Sequence, residues 1–407
     1  MTRSGLLETP GATPLRRVLI LADESAAWKV AGLRQLDRLL LTLQDFARTH
    51  QPHVAPNICV FWNPQTPKLE GCDDTERVDE FLADDAPYLL LDTHLLLHRG
   101  SLPDLLAELP ETRASAPDWE SLFCESKRAL AESANPADVV GWEQLGGRKD
   151  ISGAEGRFLK NSGKSQDGLA SRYVNRPLSR LVTRCLLKTP VSPSMWSVAI
   201  FVLPLCACFA FLQGTALGFV AGCAIFQLYS ILDGCDGEIA RAKFLQTESG
   251  RRLDSFLDLV GNILLALTLG FGLAQHAGAY GTAAWFYLTE GIAAAILIAL
   301  SEGIVFARRT RKENTATAPT RWNGALYQRH HEFFERSGIL FFGERFAWWL
   351  VQLTKRDMAM LAFLFLAAVR WPECILHLLL LVSGISSALA GNAFLRQPAP
   401  ALPQEAR

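Results

Sequence analysis

DGCDGEIARAKFLQTESGRRLDSFLD, residues Asp233 to Asp258, lies between two long apolar runs. Placed on helices, Asp233, Asp236, Gly237 and Ala240 follow i, i+3, i+4, i+7 and share a face. Gly250, Asp254 and Asp258 follow i, i+4, i+8 and share another. A turn between the two helices brings those faces together, so four carboxylates converge where two apolar helices end.

The apolar runs continue on both sides of this stretch. A membrane-crossing helix needs about 20 mostly apolar residues. Six stretches qualify: 194–213, 216–235, 254–275, 281–306, 350–369 and 372–393, the fifth interrupted at its start by Lys355, Arg356 and Asp357. Arg172, Arg176, Arg180, Arg184 and Lys188 precede the first. Arg241, Lys243, Arg251 and Arg252 join the second to the third, and eight arginines and lysines from Arg308 to Arg345 join the fourth to the fifth. The remaining connections hold only Arg370. A one-sided bias of this kind orients both termini and the basic loops toward the cytoplasm. Residues 171–188 place Leu178, Leu181, Val182 and Cys185 on one helical face and Arg176, Arg180 and Arg184 on another, the pattern of a helix lying in the membrane interface. Residues 322–345, with His330, His331 and Glu332 beside Phe333 and Phe334, read as a second membrane-surface helix rather than a metal site.

The front of the chain differs. In residues 1–150, Val18–Ala22, Ile58–Trp62 and Tyr88–Leu91 read as strands and Arg34–Ala47 as an amphipathic helix, which predicts an α/β domain. Residues 151–170 read as a linker, 171–396 as the membrane domain and 397–407 as a disordered tail. Over all 407 residues, 49% hydrophobic and 20% charged, the composition excludes disordered, collagen-like and disulfide-scaffold classes. A net charge of −1 leaves no basic field for nucleic acid. The nine cysteines form no C-x-x-C pair, and their odd number fits a reducing compartment. The first apolar run is too short for a cleavable signal, which places the front domain in the cytoplasm.

Four clustered carboxylates repel one another and are costly to desolvate. Hard divalent ions compensate them, and Mg2+ (or Mn2+) characteristically joins carboxylates to phosphate oxygens. Two such ions about 4 Å apart would clamp a diphosphate and stabilise attacking and leaving oxygens. Gly237, Ala240 and Gly250 let a ligand approach the backbone, and Arg241 is placed to pair with phosphate. A single aspartate there would be a helix cap or loop charge. Four on two matched faces read as a site for metal-assisted transfer at a phosphate.

The skeleton D-x2-D-G-x2-A-R-x8-G-x3-D-x3-D resembles, at every fixed position, the signature of the CDP-alcohol phosphatidyltransferase family, and the likeness covers about residues 165–395. The resemblance implies a multi-pass α-helical membrane protein with six transmembrane helices, working as a homodimer with divalent metal. Such a protein moves a phosphoalcohol from a CDP-alcohol to an acceptor hydroxyl and releases CMP. Carried over by position, Asp233, Asp236, Asp254 and Asp258 would be metal ligands, with Asp258 also the general base. Gly237, Ala240, Arg241 and Gly250 would line the cytidine-diphosphate pocket. The stretch Asp167–Pro193 and the charged Lys355, Arg356 and Asp357 are similar to the inositol-type branch; there Lys355 and Arg356 would either bind a phosphate on the acceptor or anchor the helix start at the interface by snorkelling. That branch includes di-myo-inositol phosphate phosphate synthases fused to a cytidylyltransferase. Its P-N-x-x-T element stands here as Pro193-Ser194-Met195-Trp196-Ser197.

Residues 1–150 look like a degenerate form of the fused nucleotidyltransferase, on Ala31-Gly32-Leu33, Leu36–Leu40 and the strand ending at Asp92. After Val18–Ala22, however, the chain reads Asp23-Glu24-Ser25-Ala26-Ala27-Trp28. It has no glycine to cradle a triphosphate and two acids where anions would bind. The expectation is therefore a phosphotransferase among membrane lipids, with an inositol-type or phospholipid substrate and without cytidylyltransferase activity. A non-catalytic membrane scaffold and a two-step enzyme are the alternatives.

Overall fold

The computed structural model describes residues 17–51, 55–69, 75–84, 86–109, 111–112, 118–133, 141–161, 168–279, 284–312 and 355–395. The chain divides into two compact units. One comprises 1–163 with the short segments 187–189 and 241–244, and the other comprises 164–186, 190–240 and 245–407.

The first unit is α/β. Strands β1 (Arg17–Ala22), β4 (Asn57–Trp62) and β5 (Leu89–Asp92) form a parallel sheet in the order β4-β1-β5. Central β1 is an unbroken apolar run, as expected of a parallel strand covered on both faces. Its side chains alternate between two cores. Val18, Ile20 and Ala22 pack with Leu36, Leu39, Leu43 and Phe46 of α1 (Gln35–His50) and with Leu102 and Leu105 of α3 (Leu102–Glu108). Leu19 and Leu21 pack with Val78 and Phe81 of α2 (Thr75–Ala83) and with Trp119 and Leu122 of α4 (Trp119–Ser133). Strands β2 (Lys29–Val30) and β3 (Leu33–Arg34) form a hairpin whose turn residues, Ala31 and Gly32, have φ of 47° and 81°. Positive φ at both positions is the requirement of the tight turn that matches strand twist. Strand β6 (Leu95–Leu97) pairs antiparallel with β7 (Trp142–Gln144). The stretch expected as a linker contains a helix, α5 (Ile151–Asn161), because Ala154, Phe158 and Leu159 supply a buried face that its glycines do not cancel.

The second unit is helical. A wide π turn, Ser171–Asn175, leads into α6 (Arg176–Leu186). Then follow α7 (Pro193–Ile200), α8 (Val202–Leu212), α9 (Ala216–Ala242), α10 (Glu248–Ala279), α11 (Ala284–Lys312), α12 (Arg356–Ala368) and α13 (Pro372–Leu395). Among the described residues, five stretches are long and apolar enough to cross a membrane: Pro193–Leu212, Ala216–Ala242, Glu248–Ala279, Ala284–Gly303 and Pro372–Leu389. The first is broken at Phe201, since Pro204 has no N–H to offer the carbonyl of Ile200. The fifth expected span begins outside the described residues, and its described part, α12, has 13 residues, fewer than the about 20 a crossing needs. Residues 322–345 and 397–407 also lie outside the described residues. Phe209, Leu217, Ile296, Phe365 and Leu381 are exposed on the helices, a surface suited to lipid.

Helices α10 and α11 meet at two glycines. A Cβ on Gly270 would lie 2.8 Å from the Tyr287 carbonyl oxygen and 2.9 Å from the Gly291 Cα, so the backbones touch. Small residues at a crossing are how helices gain packing where lipid offers no hydrophobic drive.

Helix α6 keeps Leu178, Leu181 and Cys185 together on an exposed face as expected, but Arg176 does not stay on the polar surface. Arg176 turns inward with Ser179 and Thr183, while Leu178 and Leu181 point outward. The reason is Glu238 of α9. It accepts hydrogen bonds from Arg176 Nη1 at 3.2 Å, Ser179 Oγ at 2.9 Å and Thr183 Oγ1 at 2.6 Å. Arg176 also donates to the Gly234 carbonyl, and a Cβ on Gly234 would sit 2.8 Å from that guanidinium. Glu238→Ala removes one side of a buried ion pair and strands Arg176. It is expected to cost about 3 kcal/mol, read as a lowered melting temperature of the full chain in detergent. An unchanged melt would show that Glu238 does not hold α6 in place.

Candidate functional site

Helix α9 continues past its apolar run and carries Asp233 and Asp236 in its last turns. The chain then turns through Phe244, whose φ of 54° is in the left-handed region, and the Leu245 N–H donates to the Ala240 carbonyl at 2.9 Å. Helix α10 starts at Glu248 with Gly250 in its first turn and Asp254 and Asp258 on successive turns. One carboxylate oxygen each from Asp233, Asp236 and Asp254 lies within 4.8 Å of the others, all three half-buried. The two-helix convergence expected from the spacing is therefore formed by these three. Hard oxygen donors so grouped suit Mg2+ or Mn2+.

Asp258 does not share that group of three. Its Oδ1 accepts from the Tyr229 hydroxyl at 3.1 Å and from Arg356 Nη1. The other guanidinium nitrogen of Arg356 donates to Asp233 Oδ2. Arg356 thus bridges α9 and α10 with a fork, the geometry in which guanidinium holds two carboxylates best. Its Cζ lies 5.7 Å from the Tyr229 ring centroid, within reach of a cation–π contact. Lys355, the adjacent candidate, is the N-cap of α12.

The remaining residues singled out above fall as follows. The Gly237 N–H donates to Asp236 Oδ1. Ala240 is half-buried on the same helix. A Cβ on Gly250 would meet Thr247 Oγ1 at 3.0 Å and Ser194 Oγ at 3.3 Å, so the glycine keeps that approach open. Arg241 is buried in the last turn of α9 and groups with the first unit, so its place at the pocket rests on the sequence resemblance.

The structure adds residues that sequence reasoning did not assign. Ser197 Oγ donates to Asp236 Oδ2 at 2.6 Å, so the serine ending Pro193–Ser197 aims a carboxylate of the cluster. Trp196 Nε1 donates to the Leu232 carbonyl at 2.9 Å, pinning α7 to α9 beside it. Ser230 Oγ donates to Asp357 Oδ1 at 2.9 Å, one residue from the bridging arginine. Only Ser197 had a sequence signal, its place in the P-N-x-x-T element.

In the first unit, the carboxyl ends of β1 and β5 hold Asp23, Asp92 and His94, where ligands of open α/β sheets bind. Here the groups are used internally. Asp92 is fully buried and accepts from Ser126 Oγ at 2.9 Å, from Gln144 Nε2 at 3.2 Å and from the His94 N–H at 2.9 Å. Its burial raises its pKa above the ordinary carboxylate value. His94 bonds Asp23 Oδ2 through Nε2 at 2.9 Å and the Leu145 carbonyl through Nδ1 at 2.7 Å. Burial works to raise the Asp23 carboxyl, yet the bonds from His94 and Ser25 bring it down to about 2. Burial lowers and the Asp23 bond raises the imidazole of His94, with a net rise.

Known proteins resemble parts of this chain. Residues 191–329 match the family described as CDP-alcohol phosphatidyltransferase. The chain is 33% identical over 221 residues to a bifunctional IPC transferase and DIPP synthase of Rubrobacter xylanophilus, covering 52% of this chain and 48% of the relative. It is 27% identical over 184 residues to the protein of that name from Thermococcus kodakarensis, covering 45% and 39%. The chain thus spans about half or less of the length of these relatives.

Proposed function

We propose, on the premise that residues 191–329 form a domain of the CDP-alcohol phosphatidyltransferase family, that this protein moves a phosphoalcohol from a CDP-alcohol to an acceptor hydroxyl and releases CMP. The observation that carries the reading is the meeting of Asp233, Asp236 and Asp254 from two apolar helices, with Asp258 one turn further along α10.

In this reading those three carboxylates hold Mg2+ or Mn2+, two ions when Asp258 also contributes. The metal supplies charge stabilisation for the diphosphate. Ser197 keeps Asp236 aimed at it. Asp258 takes the proton of the acceptor hydroxyl, whose oxygen forms a new bond to the phosphorus of the transferred group. The phosphoanhydride bond to cytidine monophosphate breaks, and CMP carries away the electron pair. A base must stand within hydrogen-bond reach of its hydroxyl, and the Tyr229 hydroxyl orients Asp258 for that task. Gly237, Ala240 and Gly250 leave backbone room for the cytidine diphosphate, with Arg241 countering its charge. Lys355 and Arg356 would offer positive charge to a phosphate on the acceptor, as the sequence resemblance implies, which supports an inositol-phosphate acceptor over an uncharged one; the names of the relatives point the same way. The basic loops put the site at the cytoplasmic face of the membrane, and a homodimer follows from the family resemblance.

We read the first unit as lacking cytidylyltransferase activity. The loop after β1 has no glycine, and Asp92 spends its oxygens on Ser126, Gln144 and His94. Full-length protein in detergent, with Mg2+, is offered CDP-inositol and CDP-diacylglycerol, each with and without inositol phosphate, and products are identified by mass spectrometry. CMP release from one of these donors is expected. CTP with inositol phosphate should yield no pyrophosphate, and its formation would restore the two-step reading. No CMP from either donor, together with no metal-dependent stabilisation by CDP, would leave a scaffold.

A further inference from the structure

Arg356 reaches two catalytic carboxylates from the first position of a helix, and a long side chain holds such a fork only where its backbone is fixed. The next residue supplies the fixing. Asp357 Oδ1 accepts from Ser230 Oγ at 2.9 Å and from Asn175 Nδ2 at 3.2 Å. Asn175 Nδ2 also lies 3.2 Å from Ser230 Oγ, and Asn175 Oδ1 accepts from Gln227 Nε2 at 2.9 Å. Asn175, Ser230 and Gln227 are 3%, 4% and 6% exposed, so the partners of the half-buried Asp357 are shielded from solvent. Gln227 and Ser230 precede Asp233 on α9 by successive turns. Asn175 closes the π turn before α6, a widened turn of the kind that recurs at functional sites. These shared bonds tie Asp357, Ser230, Asn175 and Gln227 to one another, and breaking one of them strands a buried polar group at a cost.

We propose that Asp357 is a positioning residue: by locking the start of α12 to Ser230 and Asn175, it sets where the Arg356 guanidinium sits between Asp233 and Asp258. The proposal rests on the phosphotransferase reading for the meaning of that location, though not for the location itself. Adjacent residues at a helix start project in different directions, so Asp357 grips the buried network while Arg356 extends to the carboxylates. The functional consequence is competition. Arg356 is a resident cation on two of the four carboxylates, and the tightness of its hold decides how readily a divalent ion enters beside them. Asp357 therefore tunes metal affinity without touching metal, substrate or the reacting atoms.

The test uses the full chain in detergent and Mn2+ alone as the probe, with binding read by electron paramagnetic resonance. Arg356→Gln removes the resident cation and should tighten Mn2+ binding on the order of tenfold, the scale of one neighbouring charge within about 4–6 Å. Asp357→Ala should tighten it in the same direction, and the double variant should bind no tighter than Arg356→Gln alone. Asp357→Asn should stay near wild type, because its amide oxygen accepts from Ser230 and Asn175. A role confined to folding would lower the melting temperature and leave Mn2+ affinity unmoved. Wild-type affinity in Asp357→Ala, or an effect fully additive with Arg356→Gln, would overturn the proposal. If Asp357→Ala fails to fold, Ser230→Ala, which removes one of the two donors, should show a smaller shift of the same sign, and no shift would overturn it. If wild type and Arg356→Gln both bind no Mn2+, the metal reading of the site fails separately. The positioning claim is then decided by melts in chelator, where coupled losses for Arg356→Gln and Asp357→Ala support it and additive ones refute it.

Discussion

Asp258→Asn is expected to cut CMP release by about 10²–10⁴-fold, the contribution of a positioned general base, while the protein melts as wild type. The amide keeps the shape of the carboxylate. Its oxygen can still accept from Tyr229 Oη, which lies 3.1 Å from Asp258 Oδ1, and from Arg356. It cannot accept a proton from an alcohol. A lost base shows in turnover and a lost second-ion ligand in donor binding, so single-turnover CMP formation measured by chromatography at saturating donor is the appropriate readout. Turnover at the wild-type rate would remove Asp258 from the role of base. Asp258 is also the partner of Arg356, so the melting temperature should be recorded with and without divalent ion to separate a lost base from a loosened helix pair.

Asp236→Ala has a comparably large expected effect by a different route. Its carboxylate stands within 4.8 Å of those of Asp233 and Asp254 and is held by Ser197 at 2.6 Å. If the three carboxylates hold the metal as proposed, removing one forfeits several kcal/mol of charge stabilisation, which corresponds to about 10³-fold or more in rate. Unlike Asp258→Asn, this variant should also lose the stabilisation that divalent ion with CDP gives the wild type, measured as the shift in melting temperature on adding both. Chelation of the wild type should reproduce the same loss. A variant that retained both activity and the metal-dependent shift would show that the cluster is not the metal centre.

The pairing of α9 with α10 was legible because periodicity alone aligns carboxylates on a helix face, and three of the four meet as the spacing requires. The fourth, Asp258, lies outside the group of three and shares Arg356 with Asp233. Asp258 finds its partner in Arg356, 98 residues away, and no local pattern encodes so distant a bond. Arg176 misled for the same reason. An arginine on a polar helical face reads as solvated, yet Glu238 on another helix draws it inward. In the first unit, β1, β4, β5 and α1 were readable from continuous apolar runs and an amphipathic repeat. Helix α5 was not, since Gly153 and Gly156 in a short segment outweigh Phe158 and Leu159 by propensity, and burial decides otherwise. The internal use of Asp92 and His94 was beyond sequence reasoning. Their motif survives in the letters, while its availability is lost to Ser126, Gln144 and Asp23.

The contact of Gly270 with Gly291 has a bearing on how the carboxylates keep their depth. Where two backbones abut without side chains between them, even one added methyl group has no room. The helix bearing Asp254 and Asp258 thus rests directly on its neighbour, and an alanine at either glycine would force the two backbones apart beneath the acids.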